Sequence, residues 1–307
     1  MFVEKEPIVP HPPASGSIVA DAPSLRHAFA DTNGTRLHYV TGGDGPAVVL
    51  LHGYPYTWEL WKPLLPLLVD AGYTVIAPDL RGLGFSDRPE TGYDKASVAE
   101  DVRGIVRSLG HDRIRLVGAD IGAMVAYAYA SRYPHEVERF VFAESLVPGF
   151  GLEERMNPAT GGYWHFGFHA QVDVATMLTA GREAAYLLPW YAMMSTDPAA
   201  AATAAERFLP FYQAPGGMRA GFRHYETLVE DGRANRAAFA EPLPMPTLVL
   251  SGERGIPQAQ TLACVRQVAA QVEHDLVPGA GHIFASDDPA WTAARLIRFF
   301  GHGAHAA

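Results

Sequence analysis

An aspartate at a sharp turn, a histidine on a late loop and a carboxylate able to orient that histidine could together run a reaction through a covalent ester. Ile114-Arg-Leu-Val117 is followed by Gly118-Ala-Asp-Ile-Gly122 and then by a helical pattern. That is the strand, tight turn and helix of a nucleophile elbow. Gly118 and Gly122 let the turn pinch, which puts Asp120 at its apex. A carboxylate there attacks carbon and forms an alkyl-enzyme ester; the elbow holds no serine with which to form an acyl-enzyme. The helix starting at Ile121 brings its positive end to the carboxylate and favours the ionised form. Aspartate is also a good helix N-cap, so its partners decide between the two roles.

Leu50-Leu51-His52-Gly53-Tyr54-Pro55 ends an earlier apolar run. In this context such a loop supplies one main-chain N–H to an oxyanion hole, and the residue after the nucleophile supplies the other. The expected donors are Tyr54 and Ile121, with His52 orienting the loop. Val277-Pro-Gly-Ala-Gly-His282 precedes the last helical pattern near Pro289. His282 is the expected base, since imidazole titrates near neutral pH. Its acid has two candidates. Glu253 lies in Ser251-Gly252-Glu253-Arg254-Gly255, where Gly255 stands at the position in which an Asp would be sought. Glu144 ends the apolar strand before the interruption described next, aims at the strand tips beside Asp120, and is preferred. The single cysteine, Cys264, falls in a helical pattern and reads as core.

These residues need a frame. Short apolar segments at Ala47–Leu51, Thr74–Ala77, Ile114–Val117, Glu138–Phe142 and Thr247–Leu250 alternate with helical patterns at Trp58–Ala71, Ala96–Leu109 and Ile121–Tyr133. The alternation predicts an α/β fold, a mostly parallel sheet flanked by helices. It fails over 148–238, which reads as a helical cap inserted before the late strands, above the strand tips where ligands bind. The core is then 23–147 and 239–307, preceded by a Pro-rich arm at 1–22. Tyr163, Phe166, Phe168 and Trp190 suggest an apolar pocket under the cap. A net charge of −9 with scattered Lys and Arg argues against nucleic acid and anionic membrane partners. No apolar run approaches the roughly 20 residues of a membrane span. The N-terminus lacks a signal-peptide pattern, so a cytoplasmic protein is expected.

With H-G-Y-P at His52, G-A-D-I-G at Gly118, a helical cap and G-A-G-H ending at His282, the chain resembles epoxide hydrolases of the α/β-hydrolase superfamily over nearly all its length. More narrowly it resembles the Cif family, through Val141-Phe-Ala-Glu144, Trp164-His165-Phe166 and Phe222-Arg-His-Tyr225. The resemblance implies Glu144 as the acid and a His165/Tyr225 pair facing Asp120 to assist opening of an apolar epoxide. It also implies a homodimer. No metal or organic cofactor is called for. His169 and His224 read as cap packing. Haloalkane dehalogenases place Trp after the nucleophile, and fluoroacetate dehalogenases place Arg there and again three positions on; this chain has Ile121 and Met124, although Trp164-His165 resembles the latter family's halide pocket. A non-catalytic binding protein of the same fold would be expected to lack nucleophile, base or oxyanion loop, and all three are present.

Overall fold

The computed structural model describes residues 9–301. Among them, β1 (Ile18–Val19), β2 (Ala22–Thr32), β3 (Thr35–Gly42), β4 (Ala47–Leu51), β5 (Thr74–Pro78), β6 (Ile114–Ala119), β7 (Val137–Ala143), β8 (Thr247–Gly252) and β9 (Val272–Val277) form one sheet. Their spatial order is β1-β2-β3-β5-β4-β6-β7-β8-β9. The first three pairings are antiparallel and the rest parallel. β4, Ala-Val-Val-Leu-Leu, and β8 are buried at every position, as a sheet covered on both faces requires. The five strands expected from apolar runs lie at these places. The four others, β1, β2, β3 and the edge strand β9, lie outside those runs. Exposed and buried positions mix along β2 and β9, so neither shows a continuous apolar run.

The helices are α1 (Leu65–Asp70), α2 (Lys95–Ser108), α3 (Ile121–Arg132), α4 (Trp164–Ala170), α5 (Val172–Thr179), α6 (Glu183–Met194), α7 (Pro198–Gln213), α8 (Gly217–Glu226), α9 (Leu228–Ala238), α10 (Gln258–Val268), α11 (Phe284–Asp287) and α12 (Pro289–Phe300). The long helix expected at Trp58–Ala71 is instead a 3-10 turn at Trp58–Leu60 and then α1. Pro63 removes a donor between them, while Pro66 sits in the first turn of α1, where its missing N–H costs little. Start signals are local: Asp94 accepts from Ser97 N at 2.9 Å to cap α2, and Asp197 and Asp288 cap α7 and α12 just before Pro198 and Pro289.

Between β7 and β8, which are parallel neighbours, every described element is helical. This inserted cap is tied to the core through Lys95, only 1% exposed at the start of α2. Its Nζ donates to the carbonyl oxygen of His224 at 2.7 Å and to Asp231 Oδ2 at 3.2 Å, and its main-chain N–H donates to Asp231 Oδ1 at 2.9 Å. His224 Nε2–H in turn donates to the carbonyl of Arg81 at 2.9 Å. α8 is therefore pinned on both faces of the residue that precedes Tyr225.

Of the arm expected at 1–22, β1 and the start of β2 belong to the sheet, and residues 1–8 lie outside the described residues. Cys264 is buried in α10. No helix among the described residues is long and apolar enough to cross a membrane.

Candidate active site

β6 runs into α3 through Asp120, whose φ of 55° is a strained conformation for a residue with a Cβ. The turn closes only because its flanks are glycines. A Cβ on Gly118 would stand 2.4 Å from the carbonyl oxygen of Gly122, and one on Gly122 would stand 2.3 Å from that of Leu51. The Asp120 side chain does not cap the first turn of α3 in the usual N-cap manner. Its Oδ1 instead accepts from the Tyr54 N–H at 2.9 Å. Gly53 permits this approach, since a Cβ there would lie 2.2 Å from the same oxygen. Burial pushes the Asp120 pKa up, but the nearby His282 and the N–H groups of Ile121 and Tyr54 outweigh it and hold the group below its ordinary value. Both expected oxyanion donors thus converge on this carboxylate. His52 donates Nδ1–H to the carbonyl of Gly53 at 2.9 Å and accepts from Leu80 N on Nε2 at 3.2 Å. Both ring nitrogens are engaged in bracing the loop.

His282 follows β9 on a loop fixed by the Gly281 N–H, which donates to Asp287 at 2.7 Å. Its Nε2 lies 3.6 Å from Asp120 Oδ2, and its Nδ1 is 2.9 Å from Glu144 Oε2. Glu144 is fully buried, with a φ of 49° that turns its side chain back under the imidazole. Its oxygens also accept from Gly252 N at 2.7 Å and Ile256 N at 2.8 Å. Glu253 is exposed and accepts from Gly279 N at 2.7 Å. Of the two candidate acids, Glu144 is therefore the one in contact with His282. The glycine at 255 acquires a reason here: a Cβ on it would stand 2.2 Å from Glu144 Oε1. Burial disfavours the imidazolium, but ion pairing with Asp120 and Glu144 prevails and raises the His282 pKa to about 10.

A cavity of about 360 Å³ opens above these groups, between the strand tips and the cap. Tyr54, Asp120, Glu144, His165, Tyr225 and His282 all line it. His165 on α4 and Tyr225 on α8 meet edge to face with ring centroids 5.9 Å apart. Burial, reinforced by the Asp120 charge, holds the Tyr225 hydroxyl well above its usual pKa. Burial lowers His165 to about 4, so it is neutral near pH 7. His169 packs on Tyr225 at 4.4 Å and bonds Tyr186 at 2.6 Å, so it serves as support, as does His224. Tyr163, Phe166 and Trp190 line the cavity, whereas Phe168 packs on Tyr186 and Phe222 outside it. Met124 lines it too, and neither its side chain nor that of Ile121 offers a donor to a halide or carboxylate there. Missed by sequence reasoning were Met193, Met194, Ile256 and Arg254. Only Arg254, beside the candidate acid Glu253, carried any signal. Among the described residues, no three His, Cys, Asp or Glu side chains are grouped as a bound metal ion would need.

Residues 46–289 match the family described as α/β hydrolase fold. A soluble epoxide hydrolase of Corynebacterium sp. (strain C12) is 32% identical over 282 residues, covering 90% of this chain and 97% of that protein. The crystal structure of Cfl2 from Burkholderia cenocepacia superposes with a TM-score of 0.83 at 32% identity, covering 92% of this chain and 98% of that one. The epoxide hydrolase CorEH gives a TM-score of 0.81 at 30% identity, covering 90% and 98%. Elbow, late histidine, inserted cap and these matches agree: the chain belongs to the α/β-hydrolase family, is a hydrolase, and within that family is similar to the epoxide hydrolases.

Proposed function

We propose that this hydrolase converts an apolar epoxide to a vicinal diol through a covalent hydroxyalkyl ester on Asp120. The observation that carries the reading is a carboxylate at the elbow apex, with one oxygen in the Tyr54 N–H and the other facing a His282–Glu144 pair. Oδ2 attacks a ring carbon and the carbon–oxygen bond opens. Tyr225 and His165, across the pocket, supply an O–H and an N–H respectively to the departing oxygen, with Tyr225 giving the proton. The high pKa of Tyr225 keeps that proton available and brings it closer to the basicity of an alkoxide. Oδ1 remains in the oxyanion site as the ester carbonyl oxygen.

Ester formation also changes the base. While Asp120 is ionised its charge helps hold His282 at about 10. Esterification removes that charge, the imidazole pKa falls, and the imidazolium proton passes through solvent to the Tyr225 phenolate. Neutral His282 then takes a proton from water attacking the ester carbon, with Glu144 holding its Nδ1–H. The tetrahedral intermediate collapses, the diol oxygen takes that proton from His282, and the proton left on Asp120 returns to His282 to restore the starting ion pair.

Replacing His282 with Gln should leave ring opening alive and stall hydrolysis. After exposure to an epoxide, the Asp120 peptide should then gain the mass of that epoxide; an unmodified peptide would refute the ester. A dehalogenase would release halide from haloalkanes or haloacetate, a parallel assay expected to be blank. A homodimer belongs to the same reading, supported by the exposed face of α5, where Val174, Met177 and Leu178 are 47%, 67% and 47% exposed.

A further inference from the structure

Away from the catalytic cavity, a second cavity of about 360 Å³ opens where the cap returns to the core. Its walls come from the C-terminal end of α3, the last turn of α9 and the segment 239–244 that leads into β8. Two nearly buried side chains in these walls carry polar atoms without a partner. Tyr127 is 2% exposed, and its hydroxyl makes no hydrogen bond among the described residues. Asn235 is 6% exposed; its Nδ2 donates to the carbonyl of Pro148 at 3.0 Å, which fixes the amide's orientation and leaves Oδ1 without a donor among the described residues. Buried polar groups are ordinarily bonded, so two unbonded ones lining the same cavity point to a ligand. Arg132 lines it as well, and among the described residues its guanidinium pairs with no carboxylate, donating only from Nη1 to the carbonyl of Ala128 on its own helix at 3.2 Å. Burial raises the Tyr127 hydroxyl to about 12 against the pull of the Arg132 charge, so it remains a donor near that cation. The remaining surface is largely apolar, with flat faces offered by Phe239, Pro134, Pro242 and Pro244, and Glu241 is its one carboxylate.

We propose that this cavity is a second ligand site, for a planar hydroxylated aromatic carboxylate. The carboxylate takes the Arg132 guanidinium and the Tyr127 O–H, a donor pair suited to a planar anion. The ring lies among Phe239 and the proline rings, and a ring hydroxyl donates to Asn235 Oδ1. The volume is that of a small-molecule pocket, and the site shares no lining residue with the catalytic cavity. Because its walls belong to both the core and the cap, a bound molecule ties the two together at the point where the chain leaves the cap. The proposal is independent of the reaction at Asp120.

The test is calorimetric titration of the full chain with 6-hydroxy-2-naphthoate, which should bind one to one. 2-Naphthoate should bind about threefold more weakly for want of the hydroxyl, and the neutral 6-hydroxy-2-naphthamide about tenfold more weakly for want of the charge. Arg132→Gln should weaken the hydroxynaphthoate about tenfold and erase its advantage over the amide, and Tyr127→Phe should weaken it about threefold. Glu241→Gln removes the one anion of the lining and should tighten binding about twofold, a gain that a damaged fold could not produce. Trp164→Ala, at the mouth of the catalytic cavity, should leave the affinity unchanged. Absence of binding at millimolar ligand, an affinity that survives Arg132→Gln, or one that falls with Trp164→Ala instead would each overturn the proposal, the last by placing the compound in the catalytic cavity.

Discussion

Glu144 and Glu253 differ in what each carboxylate touches, and substituting them separates orientation of His282 from simple proximity. Glu144→Gln keeps the shape but removes the charge against Nδ1, so hydrolysis of the ester should slow by about a hundredfold or more, with ester accumulating in stopped-flow quench. Glu253→Gln, whose native partner is only the Gly279 N–H, should stay within about twofold of native turnover. Equal losses in the two variants would refute the assignment of Glu144. The sequence left this choice open for a physical reason: both residues follow apolar strands that are neighbours in the sheet, and only backbone direction distinguishes them. A φ of 49° at Glu144 and the N–H groups of Gly252 and Ile256 arise from contacts over a hundred residues apart. Asp120 and His282 were legible because glycines and local order mark their turns. His165 and Tyr225 were legible only through family resemblance, since aromatic cap residues look alike until they are packed.

Helix α8 carries Tyr225, and its placement depends on Lys95 in a different layer of the fold. Lys95→Met would leave Asp231 buried and without its cation, a loss of about 3 kcal/mol or more, seen as a lower urea midpoint. Because Lys95 also holds the carbonyl of His224, the variant should also slow ring opening more than ester hydrolysis. Lys95→Met combined with Asp231→Leu should recover much of the stability; a double variant no better than the single one would refute the ion-pair account. Nothing in the sequence flags this tie, as a lone lysine at a helix start reads as solvated. The central strands were legible because a double-covered parallel sheet demands unbroken apolar runs. β2, β3 and β9 are partly exposed and carry polar residues, so no unbroken apolar run marks them, and the apolar period over Trp58–Ala71 hides the break that Pro63 makes between the 3-10 turn and α1.

At the scale of the whole molecule, five buried or half-buried histidines make acid the weak side. Burial holds His27 and His165 at about 4 and lowers His52, His169 and His224 as well. Depressed folded-state values mean that their contribution to stability is present above about pH 6.5, the unfolded value, and is lost as pH falls below it, for His27 and His165 through about 4. His282 has the opposite sign: raised to about 10, it stabilises fully below about 6.5 and that stability is lost as pH rises through 10. Calorimetry across pH should therefore show Tm falling steadily below about 6, and a profile flat down to pH 4 would contradict this. The pairing of Gly255 with Glu144 reaches further, into how such a protein can change over generations. Because a side chain at 255 would crowd the Glu144 carboxylate and force it to shift, moving the acid from the tip of β7 to the loop after β8 is expected to disturb the site at each single step. Adding Asp at 255 alone crowds two anions into one site, and losing Glu144 alone leaves His282 unoriented. Residues 144 and 255 are thus expected to change together rather than one at a time.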